Sequence, residues 1–293
     1  MQNKFKIRIC VFSLFGFFFL LCITGCGKQN LPGNNSKIGI KSSMEADISQ
    51  EANNFTLSSV GDDGASNWQL EGKSALISED KIDLKNIKIK SQSNNTCLTM
   101  KANKGTIMKN DNTGIFNDDV VLTYDDGTTI NTDKVNWFFK KQVAQTSSPV
   151  LLKSGNLSTK ALGAYLKKDA SQIQLQRDIL MNTSSGTTIK CDGPLIMDYK
   201  KNIAVFNKNV SIENIKGKML SRKMVVFFDP AKKAIKKVEA FGDVCLTRGN
   251  SISTSDRAVY FSEDGRAVLT GHPKVFLDYQ EVRSASNQQI LAK

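Results

Sequence analysis

The chain has 293 residues, with 40 lysines and arginines against 28 aspartates and glutamates, and a formal net charge of +12. This length allows a large folded core, and the basic balance favours an anionic partner: a nucleic acid, a membrane face or a phosphorylated lipid. Because the N-terminus is typical of an export signal, we do not expect nucleic acid among the partners.

The first 25 residues are typical of a secretory signal, with a basic start followed by an apolar run over residues 9–23. The basic residues are Lys4, Lys6 and Arg8. Residues 23–26, Ile-Thr-Gly-Cys, resemble the lipobox of bacterial lipoproteins, which implies that the signal is removed and that Cys26 is the site of lipid attachment. The alternative is an uncleaved transmembrane anchor, since about 15 to 17 apolar residues fall only slightly short of a membrane span.

Residues 26–52 have almost no apolar periodicity and are rich in Asn, Ser, Gly and Lys. This composition predicts a flexible tether between the lipidated cysteine and a folded part that starts at residue 53. Residues 286–293 are predicted to be a polar tail. Removal of the signal subtracts three positive charges from +12, so the mature chain carries about +9.

A four-residue strand motif recurs about every thirty residues. It consists of a polar or turn residue, then Val or Ile, any residue, and Leu, Ile or Met. The copies begin at Asn86, Asp119, Pro149, Asp178, Asn209, Asp243 and Lys274. Apolar flanks and glycine turns repeat with the motif, which predicts two or three short antiparallel strands per repeat, joined by tight turns. Since one repeat cannot bury its own apolar face, neighbouring repeats must stack.

Strand alternation gives each repeat one buried and one wet face. It places Val120, Leu122 and Tyr124 on one face, and Val121, Thr123 and Asp125 on the other. With no helical period after residue 53, the sequence predicts an all-β, elongated molecule with nearly no helix after the signal. At a strand spacing of about 4.8 Å, seven repeats would extend over roughly 35 to 50 Å.

Residues that could carry chemistry are few. Outside the signal and Cys26, the cysteines are Cys97, Cys191 and Cys245, which allow at most one internal disulfide and are predicted to be buried strand residues. His272 is the only histidine, and we expect no catalytic role for it. The sequence has no nucleophile elbow, phosphate loop, dinucleotide motif or metal-ligand spacing. We therefore predict no enzyme, no cofactor and no metal site.

The repeats, together with the segment DGASNWQLEGKSA at residues 63–75, resemble the periplasmic lipopolysaccharide-transport family. Residues 53–125 look like the LptC component, and residues 100–285 look like the OstA-type repeats of the LptA component, continuing the same structure. The resemblance implies a twisted β-jellyroll that is open along one side. Its apolar interior would hold the acyl chains of lipid A while sugars and phosphates stay outside.

The candidate groove residues share the inward phase of the repeat or lie on an adjacent strand. Those in phase are Val120, Leu122, Val150, Leu152, Ile179, Met181, Val210, Ile212, Val244, Leu246, Val275 and Leu277, and those on the adjacent strand are Val135, Trp137 and Phe139. Most are expected to be ordinary core. The functional hypothesis is that lipid reaches part of this apolar interior, since each CH₂ removed from water contributes about 0.8 kcal/mol.

The resemblance also implies partners and a location. The partners would be lipopolysaccharide, an inner-membrane ABC transporter complex, and other jellyroll bridge proteins that join through edge strands. The chain would lie on the periplasmic side of the envelope, anchored by lipid to the inner rather than the outer membrane. Its length and its lipidation depart from the usual LptC pattern. Two alternatives stay open: a structural or adhesive β-repeat envelope lipoprotein, and a β-helix enzyme acting on polysaccharide.

Overall fold

The computed structural model describes residues 7–10, 50–60, 66–93, 96–141, 143–167, 172–231 and 234–277. Cys26, most of the predicted signal and tether, and the polar tail at 286–293 lie outside the described residues. The described part of the chain contains no helix with the length and apolar character needed to cross a membrane.

All regular structure among the described residues is β-strand, which confirms the all-β prediction. The strands are β1 (Ile7–Cys10), β2 (Gln50–Val60), β3 (Ser66–Ile77), β4 (Lys81–Ser93), β5 (Thr96–Met108), β6 (Thr113–Tyr124), β7 (Thr129–Phe138), β8 (Val143–Ser154), β9 (Leu157–Lys167), β10 (Gln172–Thr183), β11 (Thr188–Cys191), β12 (Leu195–Asp198), β13 (Ile203–Asn214), β14 (Gly217–Phe228), β15 (Ile235–Arg248), β16 (Ser251–Phe261), β17 (Ala267–Thr270) and β18 (Lys274–Phe276). β2 begins at Gln50, inside the predicted tether.

These strands form one antiparallel sheet in which sequential strands are neighbours. β11 and β12 both pair with β10 and β13, and β17 and β18 both pair with β16, so each of these short pairs fills one position of the sheet. β1 pairs with the outer edge of β2. From β2 to the last pair there are 15 positions, or roughly 65 Å at about 4.8 Å per strand. The predicted length was too short because each repeat adds two strands to the sheet.

Alternate long strands bend at a β-bulge near their middle. In β6, Asp118 and Asp119 lie opposite the single residue Asp133 of β7, at φ angles of 63° and 54°. Register also shifts near the middle of β8, β10, β13 and β15. Asn and Asp enter the left-handed region more readily than other side chains with a Cβ.

The polar residue that opens the repeated motif therefore lies inside a strand. Five of the seven copies have this residue at positive φ: Asn86, Asp119, Asp178, Asn209 and Asp243. The prediction of short strands joined by tight turns at these points was wrong. The prediction failed because Asn and Asp residues at positive φ occur in β-bulges within a strand as well as in turns between strands.

The bends divide the sheet into two faces with the core between them. In β6, residues 120–124 belong to the first face and residues 113–117 to the second, and the other strands follow by register. Trp68 of the first face stacks on Phe139 at the end of the second, with ring centroids 5.3 Å apart. One hydrophobic cluster runs from β2 to β16. This arrangement is the jellyroll-like fold that was predicted.

Candidate functional site

A continuous row of inward-facing side chains crosses the first face from β2 to β18. Strand register places one residue of each sheet position in this row, and thirteen of the fifteen are apolar. We call it the groove row; its members are Leu57, Leu70, Ile89, Met100, Leu122, Ile130, Leu152, Thr159, Met181, Ile189, Ile212, Met219, Leu246, Ser253 and Val275.

Burial along the groove row falls toward its C-terminal end. Every member from Leu57 to Ile189 is buried. Ile212 and Leu246 are partly buried against the core, and Val275 is 55% exposed. The row is thus enclosed over most of its length and open where the described sheet ends.

Thirteen of the fifteen candidate residues lie in one hydrophobic cluster. Ten are buried, namely Val120, Leu122, Val135, Trp137, Val150, Leu152, Ile179, Met181, Val210 and Val244, and three are partly buried, namely Phe139, Ile212 and Leu246. Val135, Trp137 and Phe139 lie in the second face, opposite the other ten, which lie in the first face. Val275 and Leu277 are exposed instead, because the described part of the sheet ends beside them. Contact of any of these side chains with lipid stays a prediction.

Nine of the fifteen groove-row residues were not among the candidates from sequence. The repeated motif marks alternate strands only, so their partners Ile130, Thr159, Ile189 and Met219 went unnoticed. The hairpin turns contain the missing signal. For example, the turn at residues 155–156 pairs Ser154 with Leu157, which places Thr159 opposite Leu152.

The free rims of the two faces meet along a line that we call the seam. Trp68 and Phe139 close it at one point, and Tyr124 of the first face approaches Tyr199 of the second at another. A small cleft of about 30 Å³ lies beside Tyr199. Its first-face lining is Ser154 and Leu157, and its second-face lining is Met197, Asp198, Tyr199, Asn202, Ile203 and Phe228. The lateral opening of the jellyroll is thus nearly closed here.

The seam contains buried polar groups. Burial raises the pKa of the Tyr124 phenol, and Tyr199 and Asp126 add to this rise. Burial, followed by the negative charge of Asp126, raises the pKa of Tyr199. Thr128 lies close enough to lower this pKa in part, although no hydrogen bond forms between its side chain and the Tyr199 hydroxyl. Thr128 Oγ1 and Ser154 Oγ hydrogen bond to each other at 2.8 Å.

Two family models match the chain. One, described as lipopolysaccharide-assembly, LptC-related, matches residues 18–182, which is more than half of the chain. The chain belongs to this LptC-related family. The second, described as LptA/(LptD N-terminal domain) LPS transport protein, matches residues 189–291. Both families consist of bridge proteins of lipopolysaccharide transport rather than enzymes. The matches confirm the resemblance to the lipopolysaccharide-transport family and support a role for the chain in that transport. No curated protein matches the chain.

The first match ends at residue 182 in β10 and the second begins at residue 189 in β11, and the sheet continues across this hairpin without a break. The LptC-related and LptA-like parts therefore share one continuous fold. All pairings in the described sheet are antiparallel, which is incompatible with the parallel β-helix considered as an alternative.

Lysines dominate the outer side of the first face of this LptC-related chain. Lys88, Lys101, Lys153, Lys160 and Lys190 each directly neighbour a groove-row residue in sequence and point to the opposite side of the sheet. None of the five forms an ion pair with another described residue. These five lysines attract anions and add to the basic character of the chain.

The three cysteines are free and differ in burial. Cys191 is buried as predicted, and burial raises the pKa of its thiol to about 11. Cys245 is partly buried, whereas Cys97 is exposed because it lies on the outer side of β5, so its predicted burial was wrong. His272 is exposed, with Nδ1 3.0 Å from Asp256 Oδ2. Among the described residues, no group of three or more His, Cys, Asp or Glu side chains could hold a metal ion.

Proposed function

We propose that this chain is a periplasmic, membrane-anchored component of lipopolysaccharide export that holds the acyl chains of lipid A along the groove row. The observation that carries the proposal is the continuous row of inward side chains across 15 sheet positions, thirteen of them apolar. Each CH₂ of an acyl chain that this row removes from water contributes about 0.8 kcal/mol to binding. No bond needs to be made or broken, so transport requires only movement along the row.

The C-terminal end of the groove row supports a docking role. Val275 and Leu277 are exposed, and β18 pairs on one side only among the described strands. A strand of another jellyroll protein that pairs with β17 and β18 would extend the sheet and continue the row. Exposed edges otherwise favour aggregation, so a partner at this edge would also protect it.

The proposed anchor is the lipid on Cys26, which lies outside the described residues. We place the chain at the inner membrane, beside the ABC transporter complex that would load the groove. Two or three acyl chains would hold such a protein stably at a membrane. Metabolic labelling with a radioactive fatty acid should label the wild-type chain and leave Cys26→Ser unlabelled; equal labelling of both would remove the anchor from the proposal.

The groove is tested by the lipid that the full chain retains. The wild-type chain, expressed in a lipopolysaccharide-producing bacterium and purified in mild detergent, should carry lipopolysaccharide that mass spectrometry detects. Ile212→Asp places a charge in the groove row at a partly buried site, and should lower retention at least about tenfold through loss of apolar contact. Ser211→Asp, one residue away on the outer side, is the matched control. A lipid-free wild-type protein would favour the structural lipoprotein instead.

A further inference from the structure

Three buried hydroxyl groups lack a hydrogen-bond partner among the described residues: those of Tyr124, Tyr199 and Thr159. Thr159 is the single polar member of the enclosed part of the groove row, between Leu152 and Met181. Buried hydroxyls in proteins are normally hydrogen bonded, and each exception needs an explanation. Two of these three, Tyr124 and Tyr199, lie close enough at the seam to interact electrostatically.

The seam gathers further hydroxyls around the two tyrosines. Thr128 lies beside Tyr199, and its hydrogen bond to Ser154 leads to the cleft that Tyr199 lines. The remaining lining of this cleft is mostly apolar, with Leu157, Met197 and Phe228 among its residues. The result is a polar patch halfway along an apolar groove, at the line where a bound chain would pass from the interior to the outside.

The charges nearby restrict what this patch can bind. Asp198 lines the cleft and pairs with Lys201, whose Nζ lies 3.5 Å from its Oδ2, and Asp126 lies close enough to act on both phenols. With two carboxylates and one ammonium group, the patch keeps a net negative charge, which disfavours a phosphate or a further carboxylate there. A neutral group that donates and accepts hydrogen bonds is compatible with them, because a phenol can do both.

We propose that Tyr124 and Tyr199 form a binding site for a hydroxyl group near the head of an acyl chain that lies in the groove. This inference rests on the proposed function, since it requires an acyl chain inside. The apolar part of the chain contacts the groove row, and its hydroxyl satisfies the phenols at the seam. The site thus selects hydroxylated over plain acyl chains.

The test compares two neutral probes on the full chain in detergent: methyl 3-hydroxytetradecanoate and methyl tetradecanoate, each displacing a fluorescent acyl probe. The wild type should bind the hydroxylated ester about tenfold more tightly, as one or two buried hydrogen bonds would give. The double variant Tyr124→Phe, Tyr199→Phe keeps both rings and should bind the two esters equally. Tyr165→Phe, outside the groove on β9, is the matched control and should keep the preference.

The outcomes separate this site from the groove itself. Equal wild-type affinity for both esters would overturn the hydroxyl site and leave the groove proposal standing. A preference that survives the double substitution would overturn the assignment to these tyrosines. Failure of both esters to displace the fluorescent probe would overturn both proposals.

Discussion

The middle of the groove row and its C-terminal end are built from the same repeat but differ in what covers them. Leu152 is fully buried in the middle, whereas Leu277, in the same phase of the motif, is 66% exposed. At the seam, Trp68 approaches Phe139 and Tyr124 approaches Tyr199, from strands four or five positions apart in the sheet. A first-face strand in the middle is therefore covered by a second-face strand that comes later in the chain. Past β13 the described sheet has too few strands left to supply this cover. Apolar residues in the middle therefore stabilise the fold, while those at the end are available to a partner.

The largest expected effect is on stability at the covered position. Leu152→Ala should lower the free energy of unfolding by about 3 to 5 kcal/mol, because it leaves a cavity in a close-packed core. Leu277→Ala should change it by less than about 0.5 kcal/mol, as is usual for exposed sites. Urea denaturation of the two variants measures both values. Similar losses at the two positions would show that the end is covered as well as the middle.

The bend at Asp178 separates the two faces in the middle of the sheet, at a φ of 54°. Asp178→Val should cost about 1 to 2 kcal/mol, because a β-branched residue strains the left-handed region. Asp178→Gly, which suits positive φ, should stay close to the wild type. The same denaturation experiment distinguishes them, and equal stability of the two variants would argue against a strained bulge here.

Exposure at the end should matter for association rather than for stability. Val275→Asp should weaken binding of a neighbouring jellyroll protein of the same machinery at least about tenfold, equivalent to about 1.4 kcal/mol. The cause is a charge placed where the groove row would continue. Phe276→Asp, on the other side of β18, should have the smaller effect. Isothermal titration with the purified partner measures both, and a larger loss for Phe276→Asp would reverse the proposed orientation.

The smallest effect concerns pH. Burial raises the pKa of Cys191 to about 11, from an ordinary value of 9.0. As the pH rises through this interval, the unfolded chain loses the thiol proton first, so it binds fewer protons than the folded chain and stability falls. Cys191→Ala should make this alkaline fall shallower, whereas Cys97→Ala at an exposed site should not. Unfolding midpoints between pH 8 and 11 test this; identical profiles for all three proteins would contradict it.

Sequence was a good guide wherever the signal was local. Period-two alternation around Val120 and Leu122 was enough to assign the buried side, because a strand alternates whatever it packs against. Asp119 was misread because its preference for positive φ does not distinguish a bulge from a turn. Thr159 and Ile189 lie outside the repeated four-residue motif, although hairpin register determines their place.

The seam could not be predicted at all. The approach of Trp68 to Phe139, and of Tyr124 to Tyr199, depends on how far the twisted sheet folds over before its rims meet. This offset accumulates from the twist and bulges of many strands, so no local pattern encodes it. The buried hydroxyls at the seam were missed for the same reason, and Tyr124 was assigned only as an inward residue.

We propose that the groove row, and not the outer side of the first face, contacts lipopolysaccharide. Photo-crosslinking phenylalanine analogues would replace Ile212, Met219 and Leu246 on the inner side, and Ser211, Leu220 and Cys245 directly beside them on the outer side. In a lipopolysaccharide-producing cell, illumination should give lipopolysaccharide adducts at the three inner positions and none at the three outer ones. Adducts on the outer side alone, or at none of the six positions, would contradict the account.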